Sequence, residues 1–193
     1  MALLTQHRIA LLALLASVVA VSYVLPATAG VPRDPADYFF EQSLGDYAEE
    51  LQTARDEGKK GIFLFFEQEE CPFCHRMKET ILNQPEVQDY FKKHFLVFSV
   101  DIETTFEIND FQGKPTTPKK FFSKVARNRD ATPVMAFFDL DGKLVVRYTG
   151  AASGVEEFMW LGEYASQGLY KKTSFTRYKR QKRKAQRAAD RSQ

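Results

Sequence analysis

The chain is 193 residues long, 44% hydrophobic and carries 17 phenylalanines, enough to fill the core of one domain with appendages and too apolar for a wholly disordered protein. Its net charge of +2 conceals a segregation: residues 171–193 hold ten Lys/Arg against the single acid Asp190, whereas residues 30–170 hold sixteen Lys/Arg against twenty-four acids. Only two cysteines are present, so no third thiol can supply a separate structural bridge.

Residues 1–29 read as a secretory signal. Arg8 and the amino terminus form a positive start, Ile9–Leu25 is apolar but for the polar atoms of Ser17, Ser22 and Tyr23, and Ala27-Thr28-Ala29 is a cleavage site. Cleavage after Ala29 is expected, although the same seventeen-residue run is near the lower limit for an uncleaved membrane anchor. Either way the body is exported, and the expected compartment is the periplasm.

Residues 30–43 read as a linker and residues 44–170 as the domain. Ser43 with Asp46 resembles a capping box, and Leu44, Tyr47, Ala48 and Leu51 form the apolar face of a helix that Gly58 ends. Gly61–Phe66 has the length and composition of a buried strand, and Phe73, Met77 and Ile81 recur at helical spacing after it. Pro85 opens a further helical stretch with Val87, Tyr90 and Phe91, and Phe95–Val100 is a second buried strand. Strand, helices and strand predict a parallel βαβ unit. Residues 101–117 are polar, without a period, and form a long loop.

Thr117-Pro118 starts a short helix bearing Phe121, Phe122 and Val125. Pro133–Leu140 and Lys143–Tyr148 predict a β-hairpin, with Asp141-Gly142 signalling a type I′ turn. Ser153 and Glu156 form a second capping box before a last helix that turns Val155, Phe158, Met159 and Ala165 to the core. In residues 171–193 only Phe175 and Tyr178 are large apolar groups, which predicts disorder or a loose helix. This basic tail is either a solubilising appendage or a contact for an anionic surface, lipid headgroups or an acidic partner. Export argues against nucleic acid.

The chemistry concentrates in Glu69-Glu70-Cys71-Pro72-Phe73-Cys74-His75. Pro72 suits a first helical turn, which places Cys71 at the helix N-terminus, where free N–H groups and the macrodipole stabilise a thiolate. One helical turn brings the two Cα atoms within the roughly 4.4–6.8 Å that a disulfide spans. Glu69 and Glu70 oppose the dipole, so the Cys71 pKa is expected to stay up and the couple to act as a reductant.

Strand, Cys71-Pro72-Phe73-Cys74, helix, strand, helix, Thr132-Pro133, hairpin and helix resemble the thioredoxin superfamily over roughly residues 44–170. Export and the long loop before the third helix are similar to periplasmic thioredoxins of the SoxW type. The resemblance implies an α/β thioredoxin fold, a central mixed sheet flanked by helices with the Cys-x-x-Cys at a helix N-terminus. It implies a thiol–disulfide oxidoreductase that needs no external cofactor or metal, in which Cys71 attacks, Cys74 resolves, and Pro72, Phe73 and Glu70 tune the pair. Thr132 and Pro133 would position the substrate chain, Pro133 as a cis-proline. Disulfide-containing proteins are the implied substrates, and a membrane thiol-electron donor the implied source of reductant. The family's buried acid falls at Phe65; Glu67, two residues on and on the same strand face, is the candidate substitute.

Three alternatives share these residues. A disulfide oxidase or isomerase would use the same fold. Cys71-Pro72-Phe73-Cys74-His75 also spells the attachment motif of c-type haem, with His75 as axial ligand and Met135 or Met159 as the second. A binding module with a static disulfide is the third.

Overall fold

The computed structural model describes residues 30–192, so residues 1–29, which read as a secretory signal, lie outside the described residues. Strand β1 (Gly61–Glu67) is buried along its whole length. Its side chains are apolar on both faces as far as Phe66, and such a strand is stable only inside a sheet covered on both sides. The four-stranded sheet accordingly runs β2–β1–β5–β6, with β2 at Phe95–Asp101, β5 at Val134–Phe138 and β6 at Leu144–Thr149. β1 and β2 are parallel, in register from Gly61↔Phe95 to Glu67↔Asp101, while β5 is antiparallel to both β1 and β6. The crossover between the parallel strands is helix α3 (Pro72–Met77), its π-helical continuation Lys78–Leu82, and α4 (Pro85–His94).

The alternation of β1 divides the core in two. Phe63 and Phe65 pack with Cys71, Cys74, Phe91, Phe137 and Phe158 on one face, and Ile62, Leu64 and Phe66 pack with Phe98, Phe121, Phe122 and Phe138 on the other. The first face is closed by α4 and by α6 (Val155–Ser166), whose Phe158 stacks on Phe91 with centroids 4.4 Å apart. Gly162 permits that approach, since a Cβ there would lie 2.8 Å from the Phe91 ring. The second face is closed by α2 (Tyr47–Asp56) and α5 (Pro118–Ala126).

The structure departs from the sequence reading at several boundaries. Residues 30–43 are not only a linker: they hold the short helix α1 (Pro35–Tyr38), and Phe39 and Phe40 are buried in the cysteine-side core. The Glu41 amide donates to the Val97 carbonyl at 2.7 Å, covering the free edge of β2. Asp46, rather than Ser43, caps α2, its carboxylate accepting from the amides of Ala48 and Glu49. Gly154 precedes α6 without a side-chain cap, because the Ser153 hydroxyl is turned to Glu157 instead. The hairpin turn is longer than a two-residue type I′ loop. Asp139–Lys143 connect the strands, only Gly142 has positive φ (68°), and its amide donates to the Asp139 carbonyl, the pattern of a type I turn with a following left-handed glycine. Within the long loop, β3 (Ile108–Asn109) and β4 (Pro115–Thr116) pair, and Ile108 and Phe111 are buried.

The largest difference is the basic tail, where disorder or a loose helix was expected. Phe175–Asp190 form a sixteen-residue helix, α7, docked on α6. Phe175 packs on Tyr148 and Tyr164, the Tyr178 hydroxyl donates to Glu163 at 2.7 Å, and Lys182 pairs with Glu163 at 2.8 Å. Glu157, only 3% exposed, receives Lys179 at 2.6 Å, Arg183 at 3.4 Å, and the hydroxyls of Tyr148 and Ser153. Two aromatic anchors would not order this segment alone; the acids of α6 supply the remainder.

Burial pushes the Glu157 pKa up, but the hydrogen bonds from Lys179, Ser153 and Tyr148 outweigh it and hold the carboxyl at about 2, against an ordinary 4.5. A depressed folded-state pKa gives stability that is complete above the unfolded value and lost as pH falls toward the folded one. Glu157→Gln should therefore cost on the order of 2 kcal/mol at pH 7. Chemical denaturation should show the difference from wild type shrinking between about pH 4.5 and 2, the interval between the two pKa values.

Candidate active site

The burial of β1 ends at Glu67, and three residues, Gln68–Glu70, carry the chain out of the sheet to Cys71. Cys71 is the N-cap of α3 in extended conformation, Pro72 is the first helical residue, and the two cysteines form a disulfide with Cα atoms 5.2 Å apart. The Cys71 Sγ accepts the Cys74 amide at 3.2 Å, and the Cys71 carbonyl accepts the amides of Cys74 and His75. The helix opening thus directs the Cys74 N–H at the sulfur of the first cysteine. Cys71 retains 5% exposure and Cys74 none, so any incoming sulfur meets Cys71 first. Phe73 stands 58% exposed beside them, with the Arg76 guanidinium 5.7 Å from its ring centroid.

Thr132 and Pro133 lie at the start of β5, where Val134 pairs with Phe66 of β1, and the Thr132–Pro133 bond is cis. Gln68 joins this corner to the approach to the cysteines: its side-chain Oε1 accepts the Thr132 hydroxyl at 3.1 Å. Glu103 in the loop after β2 accepts the Glu69 amide at 2.9 Å, which holds the same turn from the other side. The carboxylates of Glu69 and Glu70 belong to exposed residues; the Glu69 carbonyl meets His75 Nε2 at 2.8 Å.

Glu67 is not an exposed strand-end acid. It is buried, pairs with Lys78 Nζ at 2.6 Å and accepts the Ser99 hydroxyl from β2. Lys78 follows Cys74 by four residues, one helical turn, at the entry to the π-helical segment. Glu67, Lys78 and Ser99 line a groove of about 650 Å³ that opens between the exposed side chains of Leu44 and Phe106. Phe65, where an acid would stand in the superfamily, is fully buried against Phe40. Lys78 was missed in the sequence, although its i+4 relation to Cys74 was a signal for it; Gln68 and Glu103 offered none, since both lie in irregular segments without a period.

The c-type haem arrangement does not fit this geometry. Both sulfurs needed for thioether bonds are joined to each other, and the Met135 side chain is fully buried in the core. Among the described residues no group of three or more His, Cys, Asp or Glu side chains gathers in a way that could hold a metal ion.

The profile of the thioredoxin-like domain family matches residues 47–166, well over half of the chain, and the protein belongs to that family. Among solved structures, a thioredoxin-fold protein from Helicobacter pylori is similar at 24% identity and a TM-score of 0.53, over 66% of this chain and 82% of its own. An oxidoreductase named DsbH is similar at 20% identity and 0.50, over 80% of this chain and 98% of its own. A disulphide-isomerase candidate from Bacteroides thetaiotaomicron is similar at 21% and 0.51, over 71% and 96%. No curated protein sequence matches the chain. A Cys-x-x-Cys disulfide at the opening of a helix in a thioredoxin-like domain is the redox centre of a thiol–disulfide oxidoreductase, and this protein is of that class.

Removing one member of a buried ion pair leaves the other desolvated without compensation. Lys78 is 35% exposed on its side chain, so the cost is moderated by solvent. Lys78→Met should destabilise by about 1–3 kcal/mol. The double variant Glu67→Gln/Lys78→Met should recover part of that loss, giving a non-additive cycle in urea denaturation.

Proposed function

We propose that the protein is an exported reductase of disulfides in other periplasmic proteins. The observation that carries this reading is the asymmetry of the pair: Cys71 caps the helix and keeps an exposed edge, whereas Cys74 is fully buried one turn further in. In the reduced protein the Cys71 thiolate attacks one sulfur of a substrate disulfide, forming a mixed disulfide and releasing the first substrate thiolate. The amide of Cys74 is aimed at the attacking sulfur, a hydrogen bond that strengthens when the acceptor is charged. Cys74, once deprotonated, then attacks Cys71 and releases the second substrate thiol, so two electrons have moved and the Cys71–Cys74 disulfide remains. A dithiol donor in the membrane restores the reduced pair.

Thr132 and Pro133 lie beside the substrate backbone in this reading, with Gln68 fixing the Thr132 hydroxyl. Pro72 and Phe73 set the environment of the attacking sulfur, Phe73 as an apolar contact for the partner. Glu67, on the same strand face as Phe65 and paired with Lys78 a turn below Cys74, takes the part of the buried acid that accepts the Cys74 proton. The sequence signal and its cleavage after Ala29 supply the export.

Insulin reduction driven by dithiothreitol is the direct test. Wild type should be active, Cys71→Ser inactive, and Cys74→Ser should accumulate mixed disulfides on non-reducing gels because nothing resolves them. A Cys71 that resists alkylation in the reduced native protein would overturn the reading in favour of a static disulfide.

The direction of flow has its own test. Exposed Glu69 and Glu70 oppose the anion at the helix opening, so the couple should equilibrate with glutathione at roughly −220 mV or lower. Glu69→Gln/Glu70→Gln should raise that potential and lower the Cys71 pKa followed by thiolate absorbance. A wild-type value near −120 mV would instead mark an oxidase.

A further inference from the structure

Helix α7 carries two sets of polar side chains on different faces. Lys179, Lys182, Arg183 and Gln186 turn toward α6 and are matched by its carboxylates: Lys179 and Arg183 by Glu157, Lys182 by Glu163, and Gln186 by Glu156. Arg177, Arg180, Lys184, Arg187 and Arg191 recur at alternating three- and four-residue intervals on the other side. At about 100° per residue those five fall within roughly 80° of arc, centred about 130° from the packed face, along a line ~21 Å long; Arg187, at the near edge of the arc, borders the groove between α7 and α6. All five are exposed, and none has an ion-pair partner among the described residues. Asp190, the only acid of the helix, falls off this line.

Like charges three and four residues apart weaken a helix, and among the described residues no carboxylate pairs with the stripe to offset that. Its chemistry selects the partner. The two aromatic residues of α7 are engaged underneath, Phe175 on Tyr164 and Tyr178 on Glu163, which leaves no stacking platform for nucleic-acid bases and no apolar anchor for a protein hot spot. The exposed apolar side chains of α7 beyond them are only alanines, too small to insert into acyl chains. Among the described residues no helix is long and apolar enough to cross a membrane. What remains is a flat line of cations that recognises charge alone, and a plane of anionic lipid headgroups is the surface such a line fits. We propose that α7 is a peripheral membrane-docking element, which holds the protein on an anionic bilayer through Arg177, Arg180, Lys184, Arg187 and Arg191 with the acidic body directed away. This inference does not depend on the direction of electron flow.

The test uses the chain from Gly30 onward, which contains the whole described fold and lacks the apolar leader, in sedimentation with vesicles at ~0.15 M salt. Vesicles of phosphatidylglycerol mixed with phosphatidylcholine should bind it and pure phosphatidylcholine should not. Each cation at the headgroup plane contributes roughly fivefold to partition, so Arg180→Glu/Lys184→Glu/Arg187→Glu should lose at least ~100-fold. Lys114→Glu/Lys120→Glu/Lys124→Glu changes the net charge equally at exposed residues away from α7 and should stay within about threefold of wild type. The stripe variant relieves like-charge repulsion, so its helicity and its midpoint of thermal unfolding should not fall. Failure of wild type to bind anionic vesicles, or equal losses in the two triple variants, would overturn the proposal. Stripe-dependent retention on immobilised polyglutamate without vesicle binding would overturn it too, in favour of an acidic protein partner.

Discussion

The geometry of the redox edge depends on β1 being buried on both faces. Ile62, Phe63, Leu64, Phe65 and Phe66 have no exposed surface at all, and burial of each such side chain contributes about 1.5–3 kcal/mol. Only an interior position satisfies both faces, and β1 takes one between β2 and β5, its register with each set by the alternation of its side chains. The position of Cys71 follows. The strand can stay inside only while its residues are apolar, and Glu67 is where that stops. The chain must then leave the sheet, and within four residues it reaches a cysteine that caps a helix. The same pairing places Val134 opposite Phe66, so the Thr132–Pro133 bond arrives at the edge where the cysteines emerge. The two halves of the candidate site are brought together by one strand.

A carboxylate at the end of such a strand needs compensation. An unpaired buried carboxylate would be expelled or protonated, and Glu67 is neither displaced to the surface nor left alone. Lys78 reaches it from the cysteine helix and Ser99 from β2. Helical geometry changes at Lys78, where the π-helical segment begins, and such widened turns recur at functional sites. The ion pair ties the first turn beyond Cys74 to the end of β1, so the cysteine helix is fixed at its opening by Pro72 and again one turn later by charge. A groove reaching Glu67 gives that pair a route to water.

The elements legible in the sequence were those with local, periodic signals. The apolar runs of β1 and β2, the Cys-x-x-Cys followed by i, i+4 apolar residues, and the Thr-Pro before a hairpin each announce themselves within a few residues. Their order defined the fold class, and both cysteines lie where that order places them. What was not legible depends on distant partners. Phe39 and Phe40 looked like the end of a linker because the core that covers them is built by Phe63, Phe65 and Phe91. The burial of Glu67 could not be separated from simple exposure without Lys78 and Ser99 in place. Gln68 and Glu103 entered only when the loop after β2 folded back on the turn before Cys71. The capping residues shifted for a related reason: the Ser153 hydroxyl, free to cap α6, was drawn instead to a carboxylate on its own first turn.

The basic tail carries this lesson furthest, because its order is borrowed. Its residues favour a helix, but like-charge repulsion among the ten cations of residues 171–193 and only two large apolar groups leave α7 little to hold it in place alone. It folds because α6 offers Glu156, Glu157 and Glu163 along one side, and because α6 is itself pinned by Phe158 against Phe91. The charge segregation seen along the sequence is therefore neutralised in space on one face of a helix pair and left standing on the other. α7 also lies beyond residues 47–166, the span matched by the family, and it supplies no strand to the sheet, although Phe175 and Tyr178 pack against the rim of the cysteine-side core. Its contact with the sheet is through Phe175 on Tyr148 of the edge strand β6. A helix attached at the rim, stabilised by ion pairs and carrying unmatched charge outward can change its surface without disturbing the redox centre. Attachment at the rim thus separates the constraints on this surface from those that fix the disulfide edge.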